Sequence, residues 1–443
     1  MLILLLFRKP SIRRQAMLPE CRCETDPYPI PKFDVEKKDI TNFIHELKGF
    51  HEQFHDCFSR QEPRNNFFQY MVGQLSPVER KSIEPIALSV KDAKVRAMQF
   101  FVSDVSWKDK EIMTIYRSMV NEDMGDPDGA LIFDESGFVK KGNYSAGVAR
   151  QYCGTIGKVE NCQVGVFAAY ASRHGYSLLG SRLFVPEKWF TDEYAERREK
   201  CRFPEDFKFK TKPQLAIELL EEIAKDAQIP FRFVVADTTY GNSPHFIDAV
   251  DALPGVTYLV AVPDSTLCWL KQPLVMKKEY HFKGETRSKL LPKKEEPASL
   301  ETFAKNLNSF FWYRRKVSEG AKGPIEYEFT KRRVVLSKGG LPGKEVWLII
   351  RRTLDESSVY SYFISNAGRS ARLKLFVWLS GIRWAIEQCF EETKTELGMD
   401  HYEVRKLPGW VHHMTTCMLA HFFLWHIKLR LGKKSASHYS VAA

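Results

Sequence analysis

The chain has 443 residues, 44% hydrophobic and 27% charged, which allows two or three domains with real cores and excludes an intrinsically disordered chain. Its 66 Lys and Arg outnumber 55 Asp and Glu, giving +11, an excess that favours a polyanionic partner, with nucleic acid first among the candidates. Nine scattered cysteines with no C-x-x-C pair exclude a disulfide-stapled scaffold and a zinc ribbon, and fit a reducing, cytoplasmic setting.

The first residues, Met1 to Phe7, are apolar but too few to span a bilayer, and Arg8 and Lys9 end the run. Residues 1–35 read as an N-terminal extension. Residues 36–125 read as mostly helical, with apolar residues at helical spacing over Asp39–Phe58 and Ser76–Ser89. This region is either a small helical DNA-binding domain or a helical cap packed on the rest; the sequence leaves both open.

From residue 129 the texture changes. Ala130–Asp134, Gln163–Tyr170 and Leu178–Val185 read as strands, the last two joined by turn residues at Ser172–Gly175. Pro213–Gln228 is an amphipathic helix with Leu215, Leu219, Leu220 and Ile223 on one face. Strand Phe231–Ala236, a short helix near Ser243–Leu253 and strand Val256–Val262 follow. This order predicts an α/β fold: a mixed sheet with helices on its faces, over 126–263.

Residues 264–365 interrupt that order as a β-rich insertion. Lys277–Lys294 is charged and turn-rich, and strands are expected at Phe310–Val317, Ile325–Leu336, Val346–Arg351 and Tyr360–Ile364. Trp312 and Trp347 within it are able to stack on a base, though core packing is their expected role. Helical structure resumes near Ser370, so 366–432 returns to the α/β part, with a buried helix over Val411–Ile427 and a tail at 433–443. The histidines at 174, 245, 401 and 412–426 lack metal-ligand spacing and are assigned to packing or surface.

Three carboxylates stand out. Asp134 and Asp237 each end an apolar strand-like run, and Glu387 lies in the last helical segment. A strand-end Asp often does no more than cap a turn. Two of them with a helical Glu suggest one acidic pocket for hard divalent cations, suited to phosphodiester chemistry. Arg383, Glu387 and Lys394 fall at steps of four and seven and so share a face of one helix. Glu135 points to the opposite face if its strand continues. Lys140 and Lys141 are possible DNA contacts that a solvated turn explains equally well.

Arg383-Trp-Ala-Ile-Glu387 with Lys394 and Leu397-Gly398 resembles the Y-(2)-R-(3)-E-(6)-K signature of DDE transposases from bacterial insertion sequences. Phe133-Asp134-Glu-Ser-Gly137, Gln151-Tyr-Cys-Gly154 with Glu160-Asn-Cys-Gln163, and Val235-Ala-Asp237 with Tyr240-Gly241 resemble the other motifs. The similarity spans roughly residues 36–430. One departure is Ser380, which occupies the signature tyrosine position. The resemblance implies an RNase H-like catalytic core with a β-rich insertion, an N-terminal helical region, and two Mg²⁺ (or Mn²⁺) held by Asp134, Asp237 and Glu387. It further implies Arg383 and Lys394 on the DNA backbone, and a homodimer on paired terminal inverted repeats that cleaves them and joins them to target double-stranded DNA. A catalytically silent DNA-binding derivative and a stand-alone RNase H-like nuclease are the alternatives.

Overall fold

The computed structural model describes residues 37–439 apart from 283–284, 294–295, 321–322 and 356. The expected extension at 1–35 lies outside the described residues. The chain forms two compact units, the first comprising 37–231 and 384–439 of the described residues and the second 232–383.

The first unit begins with α1 (Lys37–Glu52), α2 (Gln61–Leu75), α3 (Ile83–Ser89), α4 (Val95–Ser103) and α5 (Asp109–Met124). Strands β1 (Ala130–Val139), β2 (Ala149–Cys153), β3 (Lys158–Ser172) and β4 (Gly175–Phe184) follow, then α6 (Lys212–Asp226). Strand β3 is central and pairs antiparallel with β1, β2 and β4. The expected turn at Ser172–Gly175 is the β3–β4 hairpin, whose Gly175 has φ 153°. Such a backbone conformation favours a residue without Cβ. Helix α6 starts with a capping box, Thr211 and Gln214 each bonding the other's backbone N–H, and Pro213 within the first turn. Strand β1 runs five residues beyond Asp134 because its pairing with β3 continues to Val139. Asp134 is therefore a mid-strand residue.

The second unit opens with β5 (Phe233–Ala236), the single turn α7 (Thr238–Gly241), α8 (Pro244–Asp251) and β6 (Thr257–Val262). It continues through β7 (Leu267–Trp269), β8 (Val275–Phe282), β9 (Glu285–Pro292), β10 (Ala298–Ser299), β11 (Tyr313–Gly320), β12 (Gly323–Lys338), β13 (Leu341–Arg352) and β14 (Tyr360–Ser365), ending in α9 (Leu373–Ile382). β5 and β6 are parallel; β6, β14, β13 and β12 then pair antiparallel in sequence. The boundaries expected at 263/264 and 365/366 thus fall inside one continuous mixed sheet, because β14 pairs directly with β6. The charged stretch expected as turns is mostly the β8–β9 hairpin. Trp312 and Trp347 are both buried; the Trp347 indole donates to the Gly368 carbonyl at 3.0 Å.

The chain returns to the first unit with α10 (Trp384–Leu397) and α11 (Leu407–Tyr439). Helix α11 is longer than the expected Val411–Ile427 and enters the expected tail. Its Met414, Cys417, Leu419, Phe422 and Phe423 are fully buried. The N-terminal helices close over it: Phe43 and Phe50 pack on Phe423, Trp107 stacks on His412 at 4.0 Å, and the Tyr70 hydroxyl meets His413 at 2.8 Å. Residues 37–124 accordingly share a core with α11, as a helical cap does. Arg117 of α5 is buried and donates to Glu222 and Asp226 of α6 at 2.7 and 3.1 Å, and to the Leu179 carbonyl of β4.

Candidate acidic site

Asp134 is the fifth residue of β1 and lies opposite Phe167 of β3. Directly opposed residues of an antiparallel pair project from the same face of the sheet. Phe167 meets Phe390 of α10 edge-on, ring centroids 5.1 Å apart at 72°. Phe390 follows Glu387 by three positions and lies on the same side of the helix. Glu387 therefore belongs to the helix that covers the Asp134 face.

A second contact fixes how that helix runs. Lys394 donates from Nζ to the Gly137 carbonyl at 3.2 Å and to the Thr155 hydroxyl at 3.0 Å, and lies 5.1 Å from the centre of the Phe138 ring. Phe138 shares the Asp134 face, four residues along the strand. From Glu387 to Lys394 the helix rises about 10 Å; from Asp134 to Phe138 the strand rises about 13 Å. The two rows run the same way, with Phe390 beside Phe167 and Lys394 beside Phe138, and Glu387 lies one turn from Phe390 toward the start of the helix. Burial lowers the Lys394 pKa from its ordinary value, with Asp400 acting against that.

Both carboxylates are half-buried. Asp134 Oδ1 accepts from the Glu135 N–H at 2.8 Å. Glu135, as its strand position predicts, turns the other way, and its Oε1 accepts from Lys212 of α6 at 2.5 Å. Two acids on one half-buried face repel unless a cation lies near, and their oxygen donors fit a hard divalent ion. Among the described residues, no three Asp, Glu, His or Cys side chains are grouped closely enough to enclose a metal as they stand. Of the three predicted acids, the first unit contains Asp134 and Glu387.

Asp237 and Arg383 belong to the second unit. Asp237 follows β5 and is the N-cap of α7, its Oδ1 accepting from the Thr239 N–H at 2.9 Å and its Oδ2 from the Thr239 hydroxyl at 3.3 Å. The turn-capping role open to a strand-end Asp is realised here. Arg383 does not sit within one unbroken helix with Glu387 and Lys394. It caps α9, keeps helical dihedrals (φ −53°, ψ −31°) and turns its N–H to the Gly381 carbonyl, so the ladder breaks before α10. Gly381 in that last turn weakens the helix at the break. Ser380, in the signature tyrosine position, is buried and bonds back to the Val377 carbonyl at 2.8 Å.

Lys140 points inward, which the sequence did not reveal. Its Nζ donates to the Tyr402 carbonyl at 2.8 Å and lies over the Tyr402 ring, and burial lowers its pKa to about 7. Lys141 beside it is exposed. The residues after the first acidic motif clamp this loop. Asn161 donates to the carbonyls of Lys140 and Gly142 at 2.7 and 3.1 Å, and Gln163 donates to Ala146 at 2.6 Å while accepting from the Tyr402 hydroxyl at 2.8 Å. Of the histidines, His412, His413 and His421 are buried in packing roles.

Residues 53–324 match a family model described as a DDE superfamily endonuclease, a span that contains Asp134 and Asp237 and stops short of Glu387. A protein of Microchaete diplosiphon described as a probable transposase for insertion sequence element IS701 is 29% identical over 197 residues, covering 44% of this chain and 48% of that relative. The chain thus matches about half the length of this curated relative. No helix among the described residues is long and apolar enough to cross a membrane. With more than half of its residues inside the family match and a mixed α/β architecture that fits an RNase H-like core, the chain belongs to the DDE superfamily endonucleases.

Proposed function

We propose that this protein is the transposase of an insertion sequence, cutting DNA at the element's ends and joining them to a target in a cut-and-paste reaction. The observation that carries the reading is the placement of Glu387 on the helix covering the Asp134 face, in a chain whose family is that of divalent-metal endonucleases. Asp237 is the proposed third ligand, supported by its motif and its place directly after β5. Together the three would hold two Mg²⁺, with Mn²⁺ as a substitute. When bound, such ions supply activation of the attacking oxygen and stabilisation of the leaving oxygen.

The chain's own residues then position the DNA. Arg383, Lys394 and Lys141 are the proposed backbone contacts, charge-assisted bonds that set register more than sequence. Lys140 is left out because Tyr402 already holds it. Two inverted ends suit a two-fold protein arrangement, so we place a homodimer on the paired ends.

The test is strand cleavage of duplexes carrying the element's ends by Asp134→Asn, Asp237→Asn and Glu387→Gln. Each should lose activity by about 10³-fold or more while end binding persists, as expected when grouped catalytic residues act as a unit. Near-wild-type cleavage by any variant removes that residue from the site, and full cleavage by the wild type in EDTA ends the metal reading.

A further inference from the structure

Helices α2, α3 and α4 pack on one another as a group of three. The approach of α2 to α3 is tight: a Cβ at Gly73 would meet Ile86 Cγ2 at 2.1 Å. Between α3 and α4 the chain turns through residues 90–94, where Asp92 takes φ 62°. Asp is among the few residues that enter this left-handed region at modest cost, so the sequence permits a sharp turn before α4. Helix α4 then divides into two faces. Met98, Phe101 and Val102 are fully buried; the Phe101 ring stacks on Trp107 at 4.7 Å, and His412 of α11 donates from Nδ1 to the Val102 carbonyl at 2.7 Å. These contacts fasten the inner face of α4 to the core of the first unit.

Arg96, Gln99 and Phe100 form the outer stripe, at spacing i, i+3, i+4. All three are exposed, Phe100 to 61%. The helix contains no acid, and the exposed Lys91 and Lys94 of the preceding turn outnumber its one acid, Asp92. These are the residue types that read base edges. Arg spans the two acceptors of guanine, Gln matches the donor and acceptor of adenine, and an apolar ring packs on the thymine methyl. A solvated face accounts for Arg96 and Gln99 and leaves Phe100 without a role; base-edge contact accounts for all three. The nine residues of α4 span about 13 Å, and the major groove, about 12 Å wide, admits a helix.

We infer that α4 is a reading helix: it enters the major groove of a DNA duplex, with Arg96, Gln99 and Phe100 on base edges and Lys91 and Lys94 on the flanking phosphates. The inference rests on the transposase reading for the choice of duplex, the element's own ends. Both alternatives that the sequence leaves open for this region are then met by one helix, a cap on its inner face and a DNA contact on its outer one.

The test measures, in EDTA, the affinity of the full chain for a duplex carrying the element's end and for one of the same composition in shuffled order. The wild type should prefer the end, and Arg96→Ala with Gln99→Ala should reduce that preference by about tenfold or more. A smaller reduction, or a wild type without preference, overturns the inference. If the double variant does not fold, Gln99→Ala alone carries the test, read by substituting the base pairs of the end one at a time. Discrimination lost at one or two pairs supports the reading helix, and any other profile overturns it. A reduced preference with no wild-type cleavage in Mg²⁺ sinks the nuclease reading and keeps the helix. An unchanged preference with active wild type does the reverse.

Discussion

In the first unit Arg117 ends on Glu222, Asp226 and the Leu179 carbonyl, and Lys140 ends on the Tyr402 carbonyl and ring. In the second unit Arg315, Lys316, Arg372 and Lys374 surround a cleft that no described carboxylate lines. The same residue types thus serve opposite ends. The first set fastens helices and a loop to the sheet, which costs desolvation and is offset by charge-assisted bonds. The second set keeps its charge at the surface. A net +11 says nothing about this division.

The largest effect expected from breaking this contrast is in Arg117. Arg117→Ala leaves a buried gap, takes the cation from Asp226 and leaves Glu222 only Arg182, and should cost about 3–5 kcal/mol in denaturant unfolding, with no change in the salt slope of DNA binding. A loss below about 1 kcal/mol would mean the buried cation is not a fastening.

His413 sharpens the point that the first core excludes uncompensated charge. Burial lowers its pKa to about 3, against 6.5 ordinarily. The unfolded chain therefore takes up a proton below about pH 6.5 that the folded one refuses, and stability falls as pH drops toward the folded value. Between about pH 7 and about pH 5 the loss from this residue should be about 2 kcal/mol. His413→Gln should flatten that part of the profile; an identical profile in the variant would assign the pH dependence elsewhere.

Lys394 stands between the two classes, since its acceptors are a carbonyl and a hydroxyl at the rim of the acidic site. If it exchanges them for phosphate, Lys394→Met flattens the salt slope by about one unit; if not, the slope is unchanged and only stability moves. The smallest effects belong to the exposed cations as folding determinants. Arg372→Gln, Lys374→Gln and Lys141→Ala should each shift stability by under about 0.5 kcal/mol. A larger loss at Arg372 or Lys374 would make the cleft a structural feature of the fold.

Periodicity exposed most of the sheet and helix order, because β3, β4, α6 and α11 carry long runs of one spacing. It missed β2, whose five residues alternate buried and exposed only partly, and the β8–β9 hairpin, whose strands are charged and hold little core. It also placed Asp134 at a strand end, since the apolar run stops there while the hydrogen-bonded pairing does not. The acidic residues were legible from their settings and motifs, whereas the inward turn of Lys140 depends on Tyr402, over 260 positions away. The cleft cations were invisible as a group for the same reason. One signal was present: two basic residues at the start of a predicted helix, where acids are usual.

The central claim is that Asp134 and Glu387 serve one metal site. Calorimetric titration of Mn²⁺ into the wild type, Asp134→Asn, Glu387→Gln and the double variant tests it without relying on activity. Shared ligation predicts that each single change weakens binding by about tenfold or more and that the double change costs clearly less than the two losses added. Wild-type affinity in either single variant, or strictly additive losses, would contradict it.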